Sequence, residues 1–342
     1  MPEAFKTPPG LAVQAGTVPL LVAAAAAAER HGLPALWSSE FYDRSAVVTL
    51  AALAGATSRV RLGSSIAWAF GRTPVTVATD FRSLDQLAPG RVSLGLGPGN
   101  PQVVAEWHGL DEPRPAARLA ELVTLIREIW AVHERPVAHD GTFYRCILPA
   151  DPTLPPLAGS GPPILLAGGR SAMTRVAGAV ADGLIGMPVA SPDFVAQVIR
   201  PTLAEGAART GRGGAVPITG MTICAIADTT ARARAVAAMQ LAVFIVRRSC
   251  AELVAFHGFE REVAAVGEAA ARRDFPAMAA AIPDRMLDLL TVYGTPEEAR
   301  QRYREVFDGV YEESLLFASG KGRPSAGFQD EIAAVCETFA TV

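Results

Sequence analysis

A closed (β/α)8 TIM barrel is the fold the sequence predicts, on three observations. Short apolar runs bounded by glycine or proline alternate with amphipathic stretches eight times. No linker-like segment divides the chain, so residues 1–342 are expected to form one domain. The clearest unit is Val60 to Asn100, VRLGSSIAWAFGRTPVTVATDFRSLDQLAPGRVSLGLGPGN, which reads as strand, helix, strand. An open doubly wound sheet would also alternate, but a count of eight favours closure.

Strands are expected at 11–15, 35–39, 60–67, 91–97, 163–168, 183–187, 218–227 and 314–319. Each is a short apolar run, the pattern of a strand covered on both faces. Helices fall between them at 18–31, 45–57, 74–88, 115–133, 171–181, 192–210, 229–255 and 295–308, with a last one at 326–340. In the third, Pro74 suits a first turn, Val75, Ala78, Leu84 and Leu87 keep helical spacing, and Pro89-Gly90 ends it. Two connections exceed ordinary loop lengths. The insertion 134–162, after the fourth helix, holds a hairpin turning at Asp140-Gly141 and a proline-rich return. The insertion 240–292 adds helices between strands seven and eight.

Half of the residues are hydrophobic and 19% are charged, so a large core is well supplied. A net charge of −3 offers no footprint for nucleic acid or an anionic membrane. Cys146, Cys224, Cys250 and Cys336 are scattered without a CxxC pair, which fits a reducing cytoplasm rather than a disulfide framework. The five histidines show no HExxH or HxH spacing, and no metal is expected. VPLLVAAAAAA, with Lys6 upstream, resembles a signal-peptide core, but it runs on as AERHGLPALW, an amphipathic helix leading into a strand. It is therefore read as the first barrel helix. No run reaches the ~18 apolar residues of a membrane span.

A barrel carries its chemistry at the C-terminal ends of its strands. Those ends offer Glu40, Phe41 and Tyr42 after strand two, Ser65, Ile66 and Trp68 after strand three, and Gly97 to Asn100 after strand four. Ala167, Gly168, Gly169, Arg170 and Ser171 follow strand five. Together they suggest an apolar, aromatic, glycine-lined cup for a flat heterocycle with a phosphate tail. Ser171 is placed as the N-cap of SAMTRVAGAVA, whose free N–H groups and dipole favour an anion, with Arg170 adding charge. Gly168-Gly169-Arg170-Ser171 also describes an ordinary turn with a solvated arginine. GLGPGN is not GxGxxG and lies on the fourth strand, so a dinucleotide fold is not indicated; its glycines would equally relieve crowding. Glu40 beside aromatic rings is expected to have a raised pKa and serve as an acid, against the alternative of a surface carboxylate. Phe41, Trp68 and Phe70 are placed in the substrate pocket. His108 is a second proton-donor candidate, with a simple hydrogen-bonded loop role as the alternative.

Four segments resemble the luciferase-like monooxygenase superfamily, in particular its branch using coenzyme F420, a 5-deazaflavin. They are AAERHGLPALWSSE; LAALAGATSRVRLGSSI running on through GLGPGN; PPILLAGGRSAMTRVAGAVADGLI; and VYGTPEEARQRYREVFDGVYEESLLF. They span nearly the whole chain in family order. The resemblance implies the same barrel, and a cis peptide between Ser65 and Ile66 backing the ring. It implies Asn100 near ring and substrate, Ala167 to Ser171 at the cofactor phosphate, and Glu40 beside the ring. It further implies a homodimer. The chain departs at Phe41, where sugar-phosphate dehydrogenases of the branch carry histidine. Without that base, alcohol oxidation is disfavoured, whereas hydride delivery to C=N or C=C needs only an acid or water.

The expected function is thus a cytoplasmic F420-dependent reductase, with Glu40, Tyr42 and His108 as candidates for proton delivery. FMN-dependent monooxygenation is the alternative, and a non-catalytic flavin- or deazaflavin-binding barrel the third reading. The aromatic cup, with the alanine-, arginine- and glycine-rich composition of a GC-rich genome, suggests an apolar or heterocyclic specialised metabolite as substrate.

Overall fold

The computed structural model describes residues 4–110, 114–320 and 325–341. Eight parallel strands close into a barrel: β1 (Gly10–Val13), β2 (Ala35–Ser38), β3 (Arg61–Ser64), β4 (Val92–Gly97), β5 (Ile164–Ala167), β6 (Gly183–Ile185), β7 (Ile218–Ile226) and β8 (Glu313–Ala318). Each pairs with its sequence neighbour, β8 returns to β1 with Gly10 opposite Leu315, and Leu184 of β6 opposite Ile218 of β7 completes the ring. Nearly every strand residue is buried, because the strands pack side chains inward and helices outward.

Helix ends follow local chemistry. Thr17, Ser45 and Thr73 cap the helices Val18–Arg30, Ala46–Ala56 and Pro74–Leu87, each accepting a backbone N–H from the first turn. VPLLVAAAAAAER is the first of these, packed by Leu20, Leu21, Ala24, Ala25 and Ala28. The four cysteines are buried free thiols. Among the described residues, no helix is long and apolar enough to cross a membrane.

Three departures from the sequence reading matter for the site. The strand expected over 60–67 stops at Ser64, turns through a cis Ser65–Ile66 bond, and resumes as the two-residue strand Ala67–Trp68, which pairs with β4. The helix expected over 229–255 breaks: Thr230–Ile245 is followed by a turn and a separate helix, Ala251–His257. That break lets Ser249 reach the mouth, where a β-carbon on Gly169 would fall 3.1 Å from its Cβ. The helix Pro101–His108 and the strand Thr291–Gly294, which extends the sheet beside β7, were not expected.

The two insertions serve opposite ends. The hairpin Val137–Asp140 with Arg145–Leu148 lies in a helix-to-strand connection, away from the mouth. The 240–292 segment brings Ser249 and Glu252 to the mouth itself.

Candidate active site at the barrel mouth

The cis bond puts two carbonyls where the barrel must satisfy them. Ser39 Oγ donates to Ser65 O at 2.8 Å, and the Glu40 N–H donates to Ile66 O at 3.1 Å. Ser65 Oγ is buried with no partner. Ile66 points across the mouth at Gly97, where a β-carbon would lie 2.4 Å from Ile66 Cδ1 and 3.2 Å from Ala167 Cβ. Only glycine leaves that space open, so Ile66, Gly97 and Ala167 converge on one shallow floor. An orphaned hydroxyl beside a flat, glycine-opened floor suits a planar ring with polar edges.

Glu40 is the polar centre of the neighbouring wall. It is only 7% exposed and accepts from Trp68 N–H at 2.9 Å, Ala46 N–H at 3.2 Å and Arg72 Nη1 at 2.8 Å, while Arg72 Nη2 grips the other oxygen. Burial pushes this carboxyl up, but the Arg72 fork and the two backbone donors outweigh it, and the net shift is downward. The raised pKa expected from aromatic neighbours is therefore corrected: Glu40 is a tightly held carboxylate. Arg72 is raised by the same pairing and also lies 3.6 Å from Asp80. Arg44, equally buried, spends its guanidinium on the carbonyls of Gly16, Gln14 and Ser39, tying the first two loops of the mouth together.

Around this pair stands an aromatic wall. Trp107 meets Phe41, Tyr42 and Trp68 with ring centroids 5.7, 5.1 and 5.5 Å apart, and His108 stands edge-on to Trp68 at 4.4 Å. Tyr42 is 78% exposed and Trp107 41%, unusual for rings of this size. These residues, with Glu40, Arg72 and Gly71, line a cavity of about 580 Å³. Phe70 does not: it is buried in the core under Arg118, whose guanidinium carbon lies 4.9 Å from the ring centre, and its place in the pocket is corrected. Asn100 is exposed beyond Gly99 and caps Val104 through its carbonyl at 2.9 Å.

Across the mouth, the turn after β5 runs as foreseen but is capped differently. Arg170 is the N-cap, exposed and without a side-chain capping bond, and Ser171 is the first helical residue. Ser171 N–H meets the Glu252 carboxylate at 3.1 and 3.2 Å, and Ser171 Oγ donates to it at 2.5 Å. A protein carboxylate thus occupies the anion seat, which shows that the seat accepts an anion. Gly169 lies so close to Met187 that a β-carbon would fall 2.2 Å from its Sδ. Ring floor and anion seat both fit a deazaflavin carrying a phosphate.

Sequence reasoning named Glu40, Phe41, Trp68 and the Ala167–Ser171 loop but missed Arg72, Arg44, Trp107 and Glu252. Each draws on partners from other elements of the fold, and no periodic pattern links them.

The model of luciferase-like monooxygenases matches residues 5–313. The chain belongs to the luciferase-like monooxygenase family. A Mycobacterium tuberculosis protein carrying the name coenzyme F420-dependent oxidoreductase is 40% identical over 128 residues, 37% of each chain. The 5,10-methylenetetrahydromethanopterin reductase of Methanolobus tindarius is 29% identical over 284 residues, 82% of this chain and 84% of that one. The alignments with the mycobacterial relatives span 37% to 56% of their length. Among solved structures, the coenzyme F420-dependent tetrahydromethanopterin reductase of Methanopyrus kandleri superimposes with a TM-score of 0.81 at 21% identity, covering 97% of this chain and 98% of that one. This chain and that reductase share one barrel fold.

Proposed function

We propose that this luciferase-like protein is a cytoplasmic coenzyme F420-dependent oxidoreductase that reduces a C=N or C=C bond of a small, planar, apolar or heterocyclic specialised metabolite. The observation carrying the reading is the orphaned, buried Ser65 hydroxyl, set against the Gly97 floor and beside the aromatic cavity. Relatives named as F420-dependent, aligned over 37% to 56% of this chain, support it. Hydride donation from C5 is the chemistry a reduced deazaflavin supplies when bound. Ser65, Ile66, Gly97 and Ala167 hold the ring, and Gly168 to Ser171 hold the phosphate. The aromatic wall of Phe41, Tyr42, Trp68 and Trp107 receives the substrate and excludes water. Glu40 orients the wall as a carboxylate, which leaves Tyr42 and His108, both on the cavity, to deliver a proton. Phe41 supplies no imidazole base, consistent with reduction rather than alcohol oxidation.

Titration with F420 and with FMN, followed by fluorescence quenching, tests this directly. F420 is expected to bind at least about tenfold more tightly, a difference of about 1.4 kcal/mol. Tighter FMN binding with oxygen consumed on turnover would make the protein a flavin monooxygenase instead. Binding without turnover of any C=N or C=C substrate would favour a non-catalytic barrel.

A further inference from the structure

Glu252 is an odd occupant for the N-terminus of the helix Ser171–Val180. It comes from the inserted segment 81 residues later in sequence, and among the described residues no arginine, lysine or histidine pairs with it. Its hydrogen bonds run to Ser171 at the helix end, with no cation paired to it among the described residues. Its own helix, Ala251–His257, is otherwise tied to the mouth at its far end. There the Ser191 hydroxyl, which already accepts the Phe194 N–H, lies 2.8 Å from His257 Nε2. Nearby cations stand uncommitted. Arg170 is exposed beside the seat, and half-buried Arg247, two residues before Ser249, stacks on Phe244 at 4.0 Å. Among the described residues neither has a carboxylate partner. Burial pulls the Arg247 guanidinium pKa down, as expected of a cation lacking a counter-ion.

A carboxylate and a phosphate cannot share one Ser171 N–H, and at contact distance their charges repel. We propose that Glu252 is a built-in competitor for the cofactor: its carboxylate fills the anion seat until a phosphate displaces it, releasing the helix Ala251–His257 from Ser171. This rests on the F420 reading and adds the residue that sets cofactor affinity. The phosphate gains the exposed Arg170 beside the seat, which does not pair with Glu252, so it wins the exchange. The helix then keeps its buried Leu253 and Val254 and the Ser191–His257 contact, while its first turn is freed from Ser171. Cofactor loading and rearrangement of the inserted segment become one event.

The test compares F420 with its phosphate-free 5-deazariboflavin chromophore on wild type and Glu252→Gln. Glu252→Gln is expected to tighten F420 by about tenfold while leaving the chromophore within about twofold. In wild type, F420 should raise hydrogen exchange across residues 251–257 and the chromophore should not. That measurement decides the matter if the variant fails to fold. Unchanged or weaker F420 binding by Glu252→Gln, or protection of 251–257 on loading, overturns the proposal. Arg170→Ala should weaken F420 about tenfold in either case. If it does so while Glu252→Gln is neutral, the cofactor reading stands and the competitor falls. Absence of F420 binding in wild type removes both.

Discussion

Glu40 and Arg72 show how one pair converts a loop into a wall. Four donors meet two oxygens, so the carboxylate is worth more ionised than burial alone would allow. Because its folded pKa lies below the ordinary value, its contribution to stability is complete above the unfolded pKa and fades as pH falls through the folded one. Removing the fork reverses this. Arg72→Gln should move Glu40 upward, leaving burial unopposed, and shift the acid limb of the activity profile up by about one pH unit. Glu40→Gln should abolish that limb and lower turnover by about 10²-fold or more, since Trp68 and Arg72 lose their anchor. An acid limb unmoved in Arg72→Gln would place its origin in another group, with His108 next to be changed. Glu40 was legible in the sequence as a carboxylate after a strand. Its charge state was not, because Arg72 lies 32 residues away on a neighbouring loop.

The segment leading into β3 is held just as deliberately. Glu29, at the end of the helix Val18–Arg30, gathers the N–H groups of Ser58, Arg59 and Val60 at 2.8 to 3.0 Å. Slight burial raises its pKa, but these backbone bonds and the Ser58 hydroxyl dominate and hold it at about 2. Its stabilisation is therefore present above the unfolded value and is lost as pH falls from about 4.5 toward about 2. Glu29→Gln should cost about 1–3 kcal/mol, the scale of hydrogen bonds to a charged acceptor, read from the urea midpoint at pH 7. The loss should vanish near pH 2. Periodicity and capping made such helices readable: Thr73-Pro74 and Ser45 mark their starts plainly. The strand break at Ser65 followed from family likeness, since an apolar run looks continuous through it. The break at Val246–Cys250 stayed hidden because the preceding alanine-rich stretch, buried on much of its circumference, has no polar face to mark an end. Thr291–Gly294 is four residues whose one strand partner among the described residues is β7.

Closure of the whole barrel was legible because eight buried runs separated by helices have few other ways to hide both faces. The mouth was legible only as a list of strand ends. How those ends approach depends on glycines such as Gly97 and on tertiary pairs such as Arg44 with three carbonyls. The outer surface points to assembly. Val48 on one helix and Val75 and Leu87 on the next stay exposed, Val48 and Leu87 by 60% or more. We propose that this face joins two copies in a homodimer, as the family likeness also implies. Light scattering at micromolar concentration should give twice 35.8 kDa. Leu87→Glu with Val48→Glu should return the monomer mass without unfolding it. A monomeric wild type would leave these residues as ordinary surface.

Glu40 has two faces that belong to different tenants. Its backbone N–H holds Ile66 O behind the ring floor, and its side chain holds Arg72 and Trp68 in the substrate wall. Whatever draws on Arg72 from the cavity therefore alters a residue that braces the cofactor bed, with no intermediary. On the function proposed above, the two occupants would share a coupling free energy, and thermodynamic reciprocity makes any such coupling run equally both ways. A substrate that tightened the Arg72 fork would strengthen cofactor retention by the same factor as the cofactor strengthens substrate binding. On that reading, mutual retention of cofactor and substrate becomes a property of one carboxylate.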